Sequence, residues 1–385
     1  MHTGREAAPA ARRLGSLLVL LLALGSVSCQ ATPEAGSAGH APAVDADADA
    51  EAVQALELDA IDDLGTLLPR LAEHRVVYVG ETHDRYDHHL NQLAVIRGLH
   101  RLDPDLAIGM EFFQQPFQEH LDAYVAGEID EATLLERTEY FDRWRFDYRL
   151  YRPILRYARG HGIPIIALNV PTELTRKVGQ EGLAALSAEE RARLPAEIDR
   201  SNTAYEARLR RIFSHHPGAE ERIFENFVEV QLLWDEGMAE RAAQYLEQHP
   251  ERRLVVLAGS GHLLYGAGIP SRVERRTGAS SVIVLNDGGD LEQVEPAMGD
   301  YLLLPRERSL PPAGRLGVFL KTGEGALAVR AFADDSGAAE AGLEEGDQLV
   351  RLNGRAVDSY ADVRIALADR APGDTVSVTV ARDRL

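Results

Sequence analysis

A carboxylate and an imidazole two residues apart, Glu81 and His83 in VVYVGETHDRYDHH, follow directly on a β-branched apolar run. A second glutamate, Glu111, comes at the end of the run LAIGMEF, and His262 comes shortly after RLVVLAG, within AGSGH. Carboxylates buried at such places need a cationic partner, because an unpaired buried charge is costly. Imidazole and carboxylate together are also a ligand set for first-row metals. His88 and His89 either join this cluster or lie on the first turns of the helix that follows. Other chemistries are absent: no HExxH occurs, AGSGH lacks the spacing of a GxSxG elbow, so Ser260 reads as a turn residue, and neither GSGHLL nor GAGIPS completes a GxGxxG. Cys29 is the only cysteine, which removes disulfides and thiol nucleophiles from the mature chain.

What positions these residues is a set of short apolar runs: RVVYVG (75–80), LAIGMEF (106–112), IPIIALNV (163–170), RLVVLAG (253–259) and SVIVLN (281–286). Runs apolar on both faces, separated by helical stretches, are the pattern of parallel strands covered by helices on either side. The expected fold is therefore α/β, a three-layer sandwich with a mostly parallel sheet. The long segment 172–250 reads as a helical insertion. Ligand crevices in open α/β sheets lie beyond the carboxyl ends of the strands, so Glu81, His83, Glu111 and His262 should converge on one edge despite their distance in sequence. In extended backbone Glu81 and His83 point to the same side. Glycines at 80, 259 and 261 permit tight turns there.

The remaining bounds come from length and charge. A chain of 385 residues, 45% hydrophobic, has room for two domains, and a formal charge of −20 excludes a phosphate-binding surface for nucleic acid. Arg5, Arg12 and Arg13 precede the apolar run Leu14–Val27, which is too short to span a bilayer and fits an export signal over residues 1–28. Cys29, directly after it, resembles a lipobox cysteine, which implies a lipid anchor in the cell envelope; Gln30 beside it favours the outer membrane where one exists. Residues 29–57 read as a solvated tether, 58–298 as the α/β domain, 299–312 as a linker, where LLLPRERSLPPAG (302–314) breaks the pattern, and 313–385 as a small β-rich domain.

The blocks VGETHDRYDHHLNQL, GMEFF, DRWRFDYRLYRPILRYARGHGIPIIALNVP, QLLWDEGMAER and VVLAGSGHLLYGAGIP, in this order, resemble the ChaN family of bacterial haem-binding lipoproteins. The wider superfamily includes the Tiki metalloproteases and erythromycin-esterase-like enzymes, and its GxxH signature matches Gly80 to His83 and Gly259 to His262. The resemblance implies haem binding in iron uptake or handling, with a metal-dependent hydrolase, using a divalent ion held by Glu and His, as the alternative. It marks Glu81, His83, Glu111 and His262 as the pocket and Trp144, Tyr151, Trp234 and Asp235 as motif neighbours; Tyr86, His88 and Tyr265 are further neighbours. Trp144, Tyr148 and Tyr151 fall at helical spacing, which a core stripe would also produce. A homodimer enclosing the cofactor is a further implication. The C-terminal stretch resembles a PDZ domain, with Leu316, Gly317, Val318 and Phe319 in the place of its carboxylate-binding loop, which implies binding of extended peptides or polypeptide C-termini. Asn353-Gly354 marks a hairpin turn.

Overall fold

The computed structural model describes residues 62–214, 221–289, 294–323 and 326–382. The expected leader, Cys29 and the tether lie outside these residues. Among the described residues no helix is long and apolar enough to cross a membrane.

The five apolar runs form strands β1 (Val76–Glu81), β2 (Leu106–Gln114), β3 (Ile165–Asn169), β4 (Arg253–Gly259) and β5 (Ser281–Asn286). A sixth, β6 (Tyr301–Leu303), pairs in parallel with β5 and lies inside the stretch expected to be linker. Three residues are too few for periodicity to reveal, and only the partner strand makes them a strand. The sheet is parallel throughout, in the order β3-β2-β4-β1-β5-β6. Thus β1 and β2 follow one another in the chain without touching, and β4 fills the gap between them. Their register sets Glu81 level with Gly259 and Met110 level with Leu257.

Alternation along the strands divides two cores. Val77, Val79, Ile108, Met110, Val255 and Leu257 pack on one face. This face is covered by α1 (Leu64–Leu71), α2 (Tyr86–Leu102), α3 (Gln118–Val125), α4 (Glu131–Arg137), the single turn α5 (Tyr140–Arg143) and α6 (Arg152–His161). Val76, Tyr78, Ala107, Val256 and Ala258 pack on the other. The helical insertion contains α7 (Thr172–Glu181), α8 (Ala188–Arg191), α9 (Thr203–Ser214) and the 28-residue α10 (Glu221–Gln248). Only the C-terminal half of α10, through Met238, Ala239, Ala242 and Leu246, covers the sheet, together with Ile269 and Val273 of α11 (Ile269–Thr277). Its N-terminal half carries Phe224, Val228 and Leu232 against Tyr205, Leu209 and Phe213 of α9, which is what brings the arm over the strand ends.

The second domain is an antiparallel sheet of β7 (Val318–Gly323), β8 (Ala326–Phe332), β9 (Gln348–Leu352), β10 (Arg355–Ala356) and β11 (Val378–Ala381), with β11 closing against β9. Its helices are α12 (Gly337–Glu340) and α13 (Tyr360–Leu367). Asn353 and Gly354 both hold positive φ, 49° and 81°, so the expected turn joins β9 to β10. The domain has its own core of Leu327, Val329, Leu349, Leu352 and Val363. It is also seated on the first domain: Ile365 of α13 is buried in the core of the α/β domain, Arg355 pairs with Glu136 of α4 at 2.5 Å, and Arg152 of α6 with Asp369 at 2.8 Å.

Candidate functional site

Two carboxylate–histidine pairs meet over the adjacent ends of β2, β4 and β1. In the first, His83 Nδ1 donates to Glu81 Oε1 at 2.6 Å. Glu81 is the last residue of β1 and its side chain is fully buried, whereas His83 leaves one quarter of its side chain exposed (25%). Burial disfavours the charge on His83, yet the Glu81 carboxylate outweighs it and pushes the imidazole up to about 9. In return, although burial opposes it, His83 and then His89 hold the Glu81 carboxyl below its ordinary value. Glu81 Oε2 is buried without a hydrogen-bond partner, with His89 Nε2 3.7 Å away.

In the second pair His262 Nδ1 donates to Asp235 Oδ1 at 2.6 Å, and Asp235 Oδ2 accepts from Tyr205 Oη at 2.6 Å. Glu111 lies within β2 rather than after it; its Oε2 accepts from the Gly259 N–H at 2.7 Å and its Oε1 lies 3.5 Å from His262 Nε2. Burial opposes the charge of His262, and Glu111 and Asp235 raise its pKa above the ordinary histidine value. The pairs touch through Gly259. A Cβ there would come within 2.9 Å of His83 Cε1, so only glycine lets the His83 ring lie over the end of β4. Glu81, His83 and Glu111 each place a donor atom within 4.8 Å of the others, a spacing that can hold a metal ion.

Aromatic rings wall the first pair. His83 meets Trp144 edge-on at 4.8 Å and Phe146 at 4.9 Å between ring centroids. Trp144 Nε1 donates to Tyr151 Oη at 3.0 Å, and Tyr151 Oη donates to the His83 carbonyl at 3.1 Å. Tyr151 is thereby a fully buried support whose phenol burial pushes well above its usual pKa. His88 and His89 are supports as well. His88 Nδ1 accepts from the Thr82 N–H and its Nε2 donates to Asp287 O, while His89 Nε2 donates to the His83 carbonyl at 3.1 Å. Both are buried at the start of α2, as one of the two expectations had it.

Tyr86 packs half-buried against the first core. Trp234 stands edge-on to His262 at 6.2 Å, and Asp235, expected as a neighbour, is bonded directly to the histidine. Tyr265 is 38% exposed on the rim, with left-handed backbone (φ 62°), its hydroxyl donating to Glu295 and the Arg208 guanidinium 5.6 Å from its ring. Sequence reasoning missed Phe146, Tyr205 and Arg208; Arg208 donates to Gly261 O and Leu264 O and so braces the turn bearing His262. In the C-terminal domain Leu316 is buried, Gly317 holds φ 74°, Val318 opens β7 and Phe319 is 56% exposed. The N–H groups of Leu316 and Gly317 meet no protein acceptor among the described residues, and β7 is an edge strand.

The family model described as haem-binding uptake, Tiki superfamily, ChaN, matches residues 67–273. The chain belongs to this ChaN family. A PDZ-domain model matches residues 314–384 of the same chain. The solved structure described as cofacial haem binding to ChaN of Campylobacter jejuni is similar to the ChaN-family domain with a TM-score of 0.52 at 19% identity, covering 64% of this chain and 92% of that one. An erythromycin esterase in its open conformation overlays with a TM-score of only 0.36 at 16% identity, over 57% of this chain and 72% of the esterase. Among curated proteins, RETICULATA-RELATED 5, chloroplastic, of Arabidopsis thaliana is 27% identical over 241 residues, 56% of this chain. This chain spans 31% of that plant protein's length.

Proposed function

We propose that this ChaN-family protein is an exported, lipid-anchored haem-binding protein of the bacterial cell envelope that serves haem or iron uptake, with a peptide-binding C-terminal domain. The observation that carries the reading is His83: one nitrogen is held by Glu81, the ring packs against Trp144 and Phe146, and a quarter of the side chain remains open to solvent. A haem needs an axial nitrogen or oxygen donor, apolar surface for the macrocycle and cations for its propionates. The rim offers these. His83 Nε2 and the exposed Tyr265 hydroxyl are the donors, Trp144 and Phe146 the apolar surface, and exposed Arg145 a cation. Bound there, haem would supply an iron centre and a flat apolar cargo; the protein would orient it and shield one face. An open rim also suits two copies covering the other face together, and the cofacial haem of the Campylobacter relative supports this homodimer. Hemin titrated into the mature chain should give a sharpened Soret band, weakened or shifted in His83→Ala. Wild-type spectra in both His83→Ala and Tyr265→Phe would end the haem reading.

One observation favours a second reading, a metal-dependent hydrolase: the buried, unpartnered Glu81 Oε2 within the Glu81, His83 and Glu111 group. Uptake of a divalent ion by calorimetry, lost in Glu111→Gln, together with peptidase or esterase turnover, would favour it over haem carriage.

A further inference from the structure

The aromatic wall over His83 stands on a tight turn, residues 139–147, that does not hold its shape by local preference alone. Glu139 and Arg145 both adopt left-handed backbone, φ 50° and 74°, a conformation disfavoured for residues with a Cβ. Such positions persist where surrounding contacts over-determine them. On the side of the α/β domain the turn is tied by Arg143, which pairs with Glu139 at 2.7 Å and Glu173 at 3.0 Å. On the other side the tie comes from the second domain. Arg364 of α13 lays its guanidinium 4.5 Å from the Phe141 ring centroid and donates to the Arg145 carbonyl at 3.4 Å. That carbonyl lies between Trp144 and Phe146, the two rings packed on His83.

We propose that Arg364 of the C-terminal domain is a positioning residue for the site on the first domain, holding the Trp144–Phe146 turn in place over His83. The ligand site is then complete only when the two domains are docked. The α13 helix is held in that docked position independently by Ile365 in the first core and by the Arg355–Glu136 pair, so Arg364 is free to act on the turn rather than to dock the domain.

The test uses the mature chain with Trp234→Phe in every sample. Trp144 is then the sole tryptophan, since the protein has two. Arg364→Ala should make Trp144 more accessible to acrylamide quenching. It should also weaken hemin binding about 2- to 5-fold, the factor one exposed cation–π contact supplies. Arg364→Lys keeps a cation over Phe141 but loses the planar fork, and should restore part of both effects. Arg355→Ala, which loosens the same interface at Glu136 of α4 and leaves the Phe141 and Arg145 contacts in place, should leave Trp144 quenching unchanged. Wild-type quenching in Arg364→Ala would overturn the proposal, and so would an equal effect of Arg355→Ala. The hemin arm rests on the haem reading and the fluorescence arm does not. A fluorescence response with no hemin response in any variant or in the parent would leave the positioning role standing and remove haem as the ligand.

Discussion

Glu81→Gln isolates what the first carboxylate–histidine pair contributes, because it keeps the shape of the side chain and removes its charge. In the folded protein His83 is raised from 6.5 to about 9, chiefly by Glu81 against the opposing effect of burial. A group held higher when folded than unfolded stabilises fully below its unfolded pKa and loses that contribution as pH rises through the folded one. The pair's contribution is therefore complete below pH 6.5 and gone above about pH 9. At about 1.4 kcal/mol per pH unit, the rise from 6.5 to about 9 contributes at most about 3.5 kcal/mol, reduced by the quarter of His83 that water reaches. Urea denaturation followed by tryptophan emission reads the α/β domain alone, since Trp144 and Trp234 both lie in it. The stability gap between wild type and Glu81→Gln should close by about 2–3 kcal/mol between pH 6 and pH 9.5. His262 is raised by Glu111 and Asp235, which the substitution leaves in place, whereas His88 loses the raising effect of Glu81, the last of its causes. A gap that stays constant across this range would refute the pairing as the source of the stability.

Gly259→Ala should push His83 out of its place, since the new methyl would lie 2.9 Å from the ring, and cost about 1–3 kcal/mol of stability along with hemin binding, read by thermal unfolding and titration. Glu236 is fully buried among Arg272, Arg275 and Arg276, so Glu236→Ala should destabilise by about 3–5 kcal/mol in a urea melt. The mature N-terminus should be a lipidated Cys29 by mass spectrometry; a free α-amino group at another residue would contradict the lipid anchor. Peptides with a free C-terminal carboxylate should bind the C-terminal domain more tightly than their amidated forms by fluorescence anisotropy, because the Leu316 and Gly317 N–H groups lack a protein acceptor among the described residues.

Sequence alone determined the strands and most of the site's residue types. Parallel strands buried on both faces must be apolar without alternation, so the five long runs were visible, and polar residues at their ends stood out against them. Glu81 and His83 were legible as a pair because two residues in extended backbone share a side, and the structure bonds them directly. The arrangement of the runs was not written in any one of them. Only the three-dimensional packing decided that β4 lies between β1 and β2, which brings Glu111, Gly259 and Glu81 onto neighbouring strands. It likewise decided that Tyr205, on a helical arm with no motif, completes the hydrogen bonding of Asp235, that Tyr151, His88 and His89 brace His83 from within the core, and that Arg364 reaches the aromatic turn from another domain. A strand's burial is set by its own side chains, but which strand becomes its neighbour, and which helix closes over its end, depends on complementary surfaces far away in the chain that no local pattern records.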